Sequence, residues 1–208
     1  WFNLPKFTTM ITVNHLSANN SLMNHFLKEM RSVEIQKASM RFRRNIERIG
    51  EVMAYEISKT LNYTTENVQT PLGIAPTNVV SDRVVVASIM RAALPFHYGF
   101  LNYFDQAENG FISAYRQYID DKHDEFRVHV EYLAAPSIEG KTLILCDPML
   151  ATGGSMELAF EALKSHGMPA KIHIASTIAS EQAVKHIQQV FPEVKTTIWV
   201  AAIDKTLN

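Results

Sequence analysis

The apolar positions of the chain fall into two patterns. Val84-Val-Val-Ala-Ser-Ile-Met90 and Leu143-Ile-Leu-Cys146 are short, nearly unbroken apolar runs, the character of strands buried on both faces. Residues 111–115, 170–177 and 196–203 make further strand candidates, and residues 126–132 alternate apolar with polar side chains as a half-wetted strand does. Helical patterns lie before and between these runs. Asn20 or Ser21 can cap a helix running to about Arg31, and a longer helix covers roughly 34–61, with Ile46, Ile49, Met53 and Ile57 on one face. Arg41, Arg43, Arg44 and Arg48 cross its other side, where Arg43–Glu47 and Arg48–Glu51 are the expected ion pairs. Further helices are expected over about 96–104, 156–166 and 181–190, with Gly167 ending the second of these.

The remaining segments read as connections. Residues 1–20 carry no sustained period and read as an arm, in which Met10 is a candidate internal start. Gln69-Thr-Pro-Leu-Gly-Ile-Ala-Pro76 is turn-rich and reads as a loop, and the charged stretch 117–125 reads as a projecting turn. Strands alternating with helices predict an α/β fold with a mostly parallel sheet flanked by helices, plus an N-terminal helical arm and a projecting β-arm. At 208 residues the chain fits one domain, 1–208.

In such sheets, ligands bind beyond the carboxyl ends of the strands. That rule gathers Arg91 after one strand, Arg116 after the next, Asp147 after a third and Asp204 after the last. Asp147 opens the loop Asp147-Pro-Met-Leu-Ala-Thr-Gly-Gly-Ser155, which lies between a buried strand and a helix start. Unpaired amides and the helix dipole make such a start an anion site, and the glycines let a phosphate approach the backbone closely. The acidic residue five positions before Thr-Gly-Gly-Ser suits a ligand with both a sugar and a phosphate, its carboxylate accepting from ribose hydroxyls. The plainer alternative is an ordinary strand-to-helix turn capped by Ser155. The Lys-Ser/Thr pair of one common phosphate loop and the G-x-G-x-x-G of the other are both missing.

Composition narrows the partners. A formal net charge of −1 gives no reason to expect nucleic acid, and no apolar run approaches the roughly 20 residues of a membrane helix. The single cysteine, Cys146, excludes an internal disulfide and a cysteine-rich zinc site, and its apolar strand suggests a buried, inert thiol. His97, His123, His129 and His173 lack zinc spacing and read as structural or surface residues. Without a secretory signal pattern at the start, the expected compartment is the cytoplasm.

The nine residues from Asp147 to Ser155 resemble the phosphoribosyl-diphosphate loop of the phosphoribosyltransferases, in particular the uracil phosphoribosyltransferases. The likeness runs from about Asn20 to the end. It includes residues 42–54, Ser88-Ile-Met-Arg-Ala-Ala-Leu-Pro95, Ala114-Tyr-Arg116 and Ala201-Ala-Ile-Asp204. The resemblance implies a type I phosphoribosyltransferase fold and the reaction of uracil with 5-phosphoribosyl 1-diphosphate to give UMP and diphosphate, with Mg2+ carried on the diphosphate. It implies Asp147 as the catalytic carboxylate. The substrate-binding set it implies is Arg91, Arg116, Asp147, Pro148, Met149, Leu150, Ala151, Thr152, Gly153, Gly154 and Ser155, with no metal held by the protein itself. A homodimer is implied as well, joined partly by an arm over 117–131. The alternatives are a non-catalytic phosphoribosyl-diphosphate-binding regulator and a phosphoribosyltransferase for another base. Ala93 stands where the family has Gly, which predicts an altered approach to diphosphate. Gln117 replaces the family's acidic residue. The family's Gly-rich base loop is not met by Asn208, so the expectation is either a base loop beyond these residues, acting as a lid, or a site without its base half.

Overall fold

A computed structural model, which describes residues 11–118, 126–191 and 195–206, contains ten strands and five α-helices among those residues. The central strands are β4 (Val84–Ile89) and β7 (Thr142–Cys146), the two apolar runs of the sequence. They lie side by side and parallel, with Ser88 opposite Cys146. From β7 the sheet continues through β9 (Lys171–Ser180) and β10 (Lys195–Asp204) to β1 (Thr12–His15). From β4 it continues in the other direction through β5 (Glu108–Tyr118) to β6 (Phe126–Ala134). Every pairing in this sheet is parallel except β5 with β6. The chain order reverses between β4 and β7, and a crevice opens at such a switch point, beyond the carboxyl ends of the strands.

Alternate side chains of each central strand enter two separate cores. Val85, Ala87, Leu143 and Leu145 pack against α4 (Gly154–Leu163) and α5 (Glu181–Val190). Val84, Val86, Ile144 and Cys146 pack on the other face against α1 (Leu22–Arg31), α2 (Ser39–Ser58) and α3 (Leu94–Leu101). This explains the unbroken apolar runs, since neither face of these strands meets water. Ile46, Ile49, Met53 and Ile57 form the buried stripe of α2, as their spacing predicts. Helices α2 and α3 meet with almost no gap. A Cβ on Gly99 would lie 2.2 Å from the Glu47 carbonyl oxygen, and one on Gly50 would lie 2.7 Å from that of Phe96.

Several boundaries differ from the sequence reading. The 1–20 arm contains β1, which joins the sheet edge through Thr12–Thr197 to His15–Val200 pairs. Its polar composition suits an edge and leaves no apolar period to find. The 69–76 loop belongs to an antiparallel hairpin of β2 (Tyr63–Thr70) and β3 (Gly73–Val80), turning at Pro71-Leu72. Both faces of this two-stranded ribbon are largely exposed, so the apolar alternation that marks a half-buried strand is missing. The long helix starts later than position 34, a short 3-10 turn over Ile35–Lys37 preceding α2. Its ion pairs are also redrawn. Arg44 pairs with Glu47 at 2.6 Å, Arg41 reaches back to Glu29 at 2.7 Å, and the Arg48 guanidinium lies over the Phe26 ring. The projecting turn falls largely on 119–125, outside the described residues.

Candidate active site

Asp147 follows β7 directly. Its N–H donates to the Ala175 carbonyl of β9 at 3.1 Å, continuing the ladder by one residue before Pro148 ends it. The carboxylate then accepts from the Met149 N–H at 3.3 Å, a side-chain turn within the loop itself. Among the described residues it has no ion pair. Burial without a cation pushes its pKa up to about 6, against the small opposing effect of the Met149 bond.

The rest of the loop is fastened to β9, which extends past the end of β7. Met149 and Leu150 form the two-residue strand β8 opposite Ile178 and Ala179. The Ile178 N–H donates to the Pro148 carbonyl at 3.2 Å, and the Ser180 hydroxyl donates to the Ala151 carbonyl at 2.6 Å. Gly153 then turns into α4 with φ +85, and a Cβ there would meet the His186 ring at 2.9 Å. His186 is held by Glu157 at 2.9 Å, so the α5 side chain packed under the loop is itself positioned. No side chain caps Gly153, and the first amides of α4 have no partner inside the helix. Thr152 and Ser155 are exposed beside them, and the Thr152 hydroxyl accepts from the Gly154 N–H at 3.4 Å. A tightly fixed, glycine-opened helix start, with only a long bond from Gly154 to Thr152 among its first amides, is suited to hold a phosphate.

Across the switch point, β4 ends in the turn Met90–Ala93 that leads into α3. The Met90 N–H donates to Ile112 of β5 at 2.8 Å, and the Leu94 N–H donates to the Arg91 carbonyl at 3.2 Å. Arg91 is exposed and makes no ion pair among the described residues. Ala93 fits without strain at φ −76 with its methyl fully buried, so the turn does not need glycine there. Arg116 is not at a strand end. Ile89 lies opposite Ile112, and β5 runs on through Arg116, paired with Val128, to Tyr118 as a two-stranded ribbon beyond β4. Its side chain lies outside what the structure describes.

Sequence reasoning missed two contacts at this rim. Asp204, at the end of β10, is paired with Arg31 of α1 at 2.7 Å, and nothing in the sequence links positions 173 residues apart. His97, read as structural or surface, is buried and joins Ser88 to Asn109. Its nine-residue spacing from Ser88 gives no periodic signal. Cys146 is fully buried, and burial pushes its thiol pKa far up, in keeping with an inert role. Among the described residues, no group of three or more His, Cys, Asp or Glu side chains is placed to hold a metal. Nor is any helix there long and apolar enough to cross a membrane.

A cleft of about 720 Å3 lies elsewhere, at the amino ends of β4 and β5, lined in part by Tyr63, Asp82, Arg83, Phe104 and Glu108. Asp82, Arg83 and Glu108 are already paired there. Asp82 binds Lys171 at 3.2 Å, and Glu108 binds Lys141 at 2.6 Å and Arg83 at 3.3 Å. Size alone does not make it the reactive site, and the carboxylate and cation without ion pairs among the described residues, Asp147 and Arg91, lie at the opposite edge.

The family model of uracil phosphoribosyltransferase matches residues 17–208. A uracil phosphoribosyltransferase of Porphyromonas gingivalis is 59% identical over 196 residues, 94% of this chain and 89% of the relative. Among solved structures, the AQ2163 protein of Aquifex aeolicus superposes with a TM-score of 0.76 at 27% identity, covering 95% of this chain and 89% of that one. A hypoxanthine phosphoribosyltransferase of Staphylococcus aureus shares the fold at a TM-score of 0.50 and 14% identity, over 76% of this chain and 72% of its own.

Proposed function

The chain belongs to the uracil phosphoribosyltransferase family, and from that premise we propose how its residues transfer phosphoribose from phosphoribosyl diphosphate to uracil N1, giving UMP and diphosphate. In this reaction the C1–oxygen bond to diphosphate breaks, the C1–N1 bond forms, and N1 gives up its proton. The transition state is oxocarbenium-like, so the protein contributes position and charge. The amides of Ala151, Thr152, Gly153, Gly154 and Ser155 hold the 5′-phosphate. Asp147 accepts hydrogen bonds from the ribose hydroxyls and faces the positive charge that develops on the ring. Arg91, with Arg116 on the ribbon, neutralises the departing diphosphate. Magnesium arrives as part of the substrate, bound to that diphosphate.

The observation that carries this reading is the placement of Asp147 and Arg91 at the ends of two neighbouring parallel strands. Among the described residues, one is a carboxylate without an ion pair, in the loop that leads into α4, and the other is a cation without an ion pair. Membership of an enzyme family at 59% identity favours a transferase over a non-catalytic regulator. The phosphorylated substrate and product do not cross membranes unaided, which supports a cytoplasmic reaction.

A homodimer follows from the same premise. The arm over 117–131 is one candidate for the contact. The Tyr63–Val80 hairpin is another, because it projects with Val68, Leu72 and Ile74 exposed. Light scattering on the purified protein tests the dimer. The activity itself is tested by following UMP formation from uracil and magnesium phosphoribosyl diphosphate, expected in wild type and strongly reduced in Asp147→Asn.

A further inference from the structure

A buried polar chain ties together the elements that carry the two halves of this site. Ser88 of β4, three residues before Arg91, is fully buried, and its hydroxyl lies 2.7 Å from His97 Nδ1 on α3. His97 Nε2 lies 2.7 Å from Asn109 Oδ1 at the start of β5. On its other side Ser88 is hydrogen-bonded to the Cys146 thiol of β7, next to Asp147. The direction of the protons can be read from the far end. The Asn109 side-chain N–H2 donates to the Ala107 carbonyl at 3.5 Å, which turns Oδ1 towards His97 as an acceptor. His97 Nε2 therefore donates, and Nδ1 accepts from the Ser88 hydroxyl. Only a neutral imidazole can do both, and burial pushes the His97 pKa down, which keeps it neutral. The Phe111 ring, 4.8 Å away between centroids, packs against the imidazole.

We propose that His97 is a positioning residue that sets the spacing between the Arg91 turn and the Asp147 loop. It acts by fastening α3 to β4 through Ser88, while the Nε2–H bond to Asn109 fixes the tautomer that leaves Nδ1 free to accept. The turn Met90–Ala93 lies between Ser88 and His97 in sequence, so a bond between those two side chains closes the turn across its base. Without that bond, α3 is held to β4 by apolar contacts, which fix distance loosely and direction hardly at all. The proposal rests on the assignment of Arg91 to the diphosphate and deepens it.

Two substitutions separate positioning from packing, because asparagine places its amide near the Nδ1 position and glutamine near the Nε2 position. His97→Asn keeps a partner for Ser88, and His97→Gln keeps one for Asn109. The expected result is a KM for magnesium phosphoribosyl diphosphate raised about tenfold in His97→Gln, in line with one lost hydrogen bond, and within about twofold of wild type in His97→Asn. The Kd for UMP, which has no diphosphate, should stay within about twofold in both. Ser88→Ala should reproduce the glutamine variant and replaces it if that protein does not fold. Equal effects of Asn and Gln, or a UMP affinity falling in step with the KM, would reduce His97 to a packing residue and overturn the proposal. Arg91→Ala is run beside them. If it raises the KM while His97→Gln and Ser88→Ala behave as wild type, the positioning role alone fails. If Arg91→Ala leaves the KM unchanged, the diphosphate assignment fails, and with it the route through which His97 acts.

Discussion

The two edges of the sheet use the same residue types and treat them in opposite ways. At the amino ends, Asp82 accepts from the Asn62 N–H and side-chain amide at 2.9 Å each and from Lys171 at 3.2 Å. Glu108 is shared there between Lys141 and Arg83, and Lys141 in particular holds its pKa below the usual carboxylate range. At the carboxyl ends, Asp147 receives one bond from its own turn, and Arg91 has no ion pair among the described residues. A folded chain usually supplies partners to charges it removes from water, since an unpaired one costs stability. The amino edge follows that rule. The carboxyl edge departs from it at Asp147, while Arg91 stays in water, and a sugar phosphate would complete both, its ribose hydroxyls at the carboxylate and its diphosphate at the cation. Asp204, paired with Arg31, shows that not every charge at that edge is left open.

The contrast can be broken most forcefully at Asp147. Asp147→Asn keeps the shape of the side chain but loses charge-assisted hydrogen bonds worth roughly 1.5–3 kcal/mol, on the order of 10- to 100-fold in rate when they strengthen in the transition state. Steady-state kinetics should show this as a fall in kcat, and wild-type turnover would remove Asp147 from the site. Next in size is Arg91→Ala, expected to raise the KM for phosphoribosyl diphosphate about tenfold or more while UMP affinity, read by calorimetry, stays nearly constant. Equal loss of UMP binding would put Arg91 on the 5′-phosphate instead.

The smallest effect belongs to the amino edge. Glu108→Gln should leave kcat and both Michaelis constants unchanged and lower stability by about 1 kcal/mol at pH 7. Because Lys141 depresses the Glu108 pKa in the folded protein, this contribution is fully present above the ordinary carboxylate value and is lost as pH falls below it through the depressed folded value. Denaturant melts of wild type and variant should therefore converge in acid. A change in turnover would show that the amino edge is not merely structural.

The central strands and the loop that follows Cys146 were legible because local sequence dictates them. Val84–Ile89 and Thr142–Cys146 are apolar on both faces, and the loop's Pro148, Gly153 and Gly154 mark its turns one by one. The hairpin and β1 were not legible, since their side chains face water or an edge and their pairing is the only reason they are strands. Likewise the extension of β5 through Arg116 depends on its antiparallel partner β6. At the candidate site, Asp147 and Arg91 could be read from strand ends and Arg116 could not, nor could the side chains that hold those ends in place. His97 meets Ser88 and Asn109, and Arg31 meets Asp204, only after the helices have packed on the sheet.

The most direct test of the account is the thermal stability of Asp147→Asn against wild type from pH 4 to pH 8. A carboxyl whose folded pKa is raised to about 6 opposes folding once it ionises, so wild-type stability should fall as pH rises from the unfolded value through about 6. The penalty at pH 8 is on the order of 3 kcal/mol. Asparagine has no such charge. The account predicts that the catalytically impaired variant melts higher than wild type at pH 8, with the gap closing towards pH 4. A variant that melts lower at pH 8, or a gap that does not change with pH, would mean that Asp147 is compensated like the carboxylates of the amino edge, and would contradict the account.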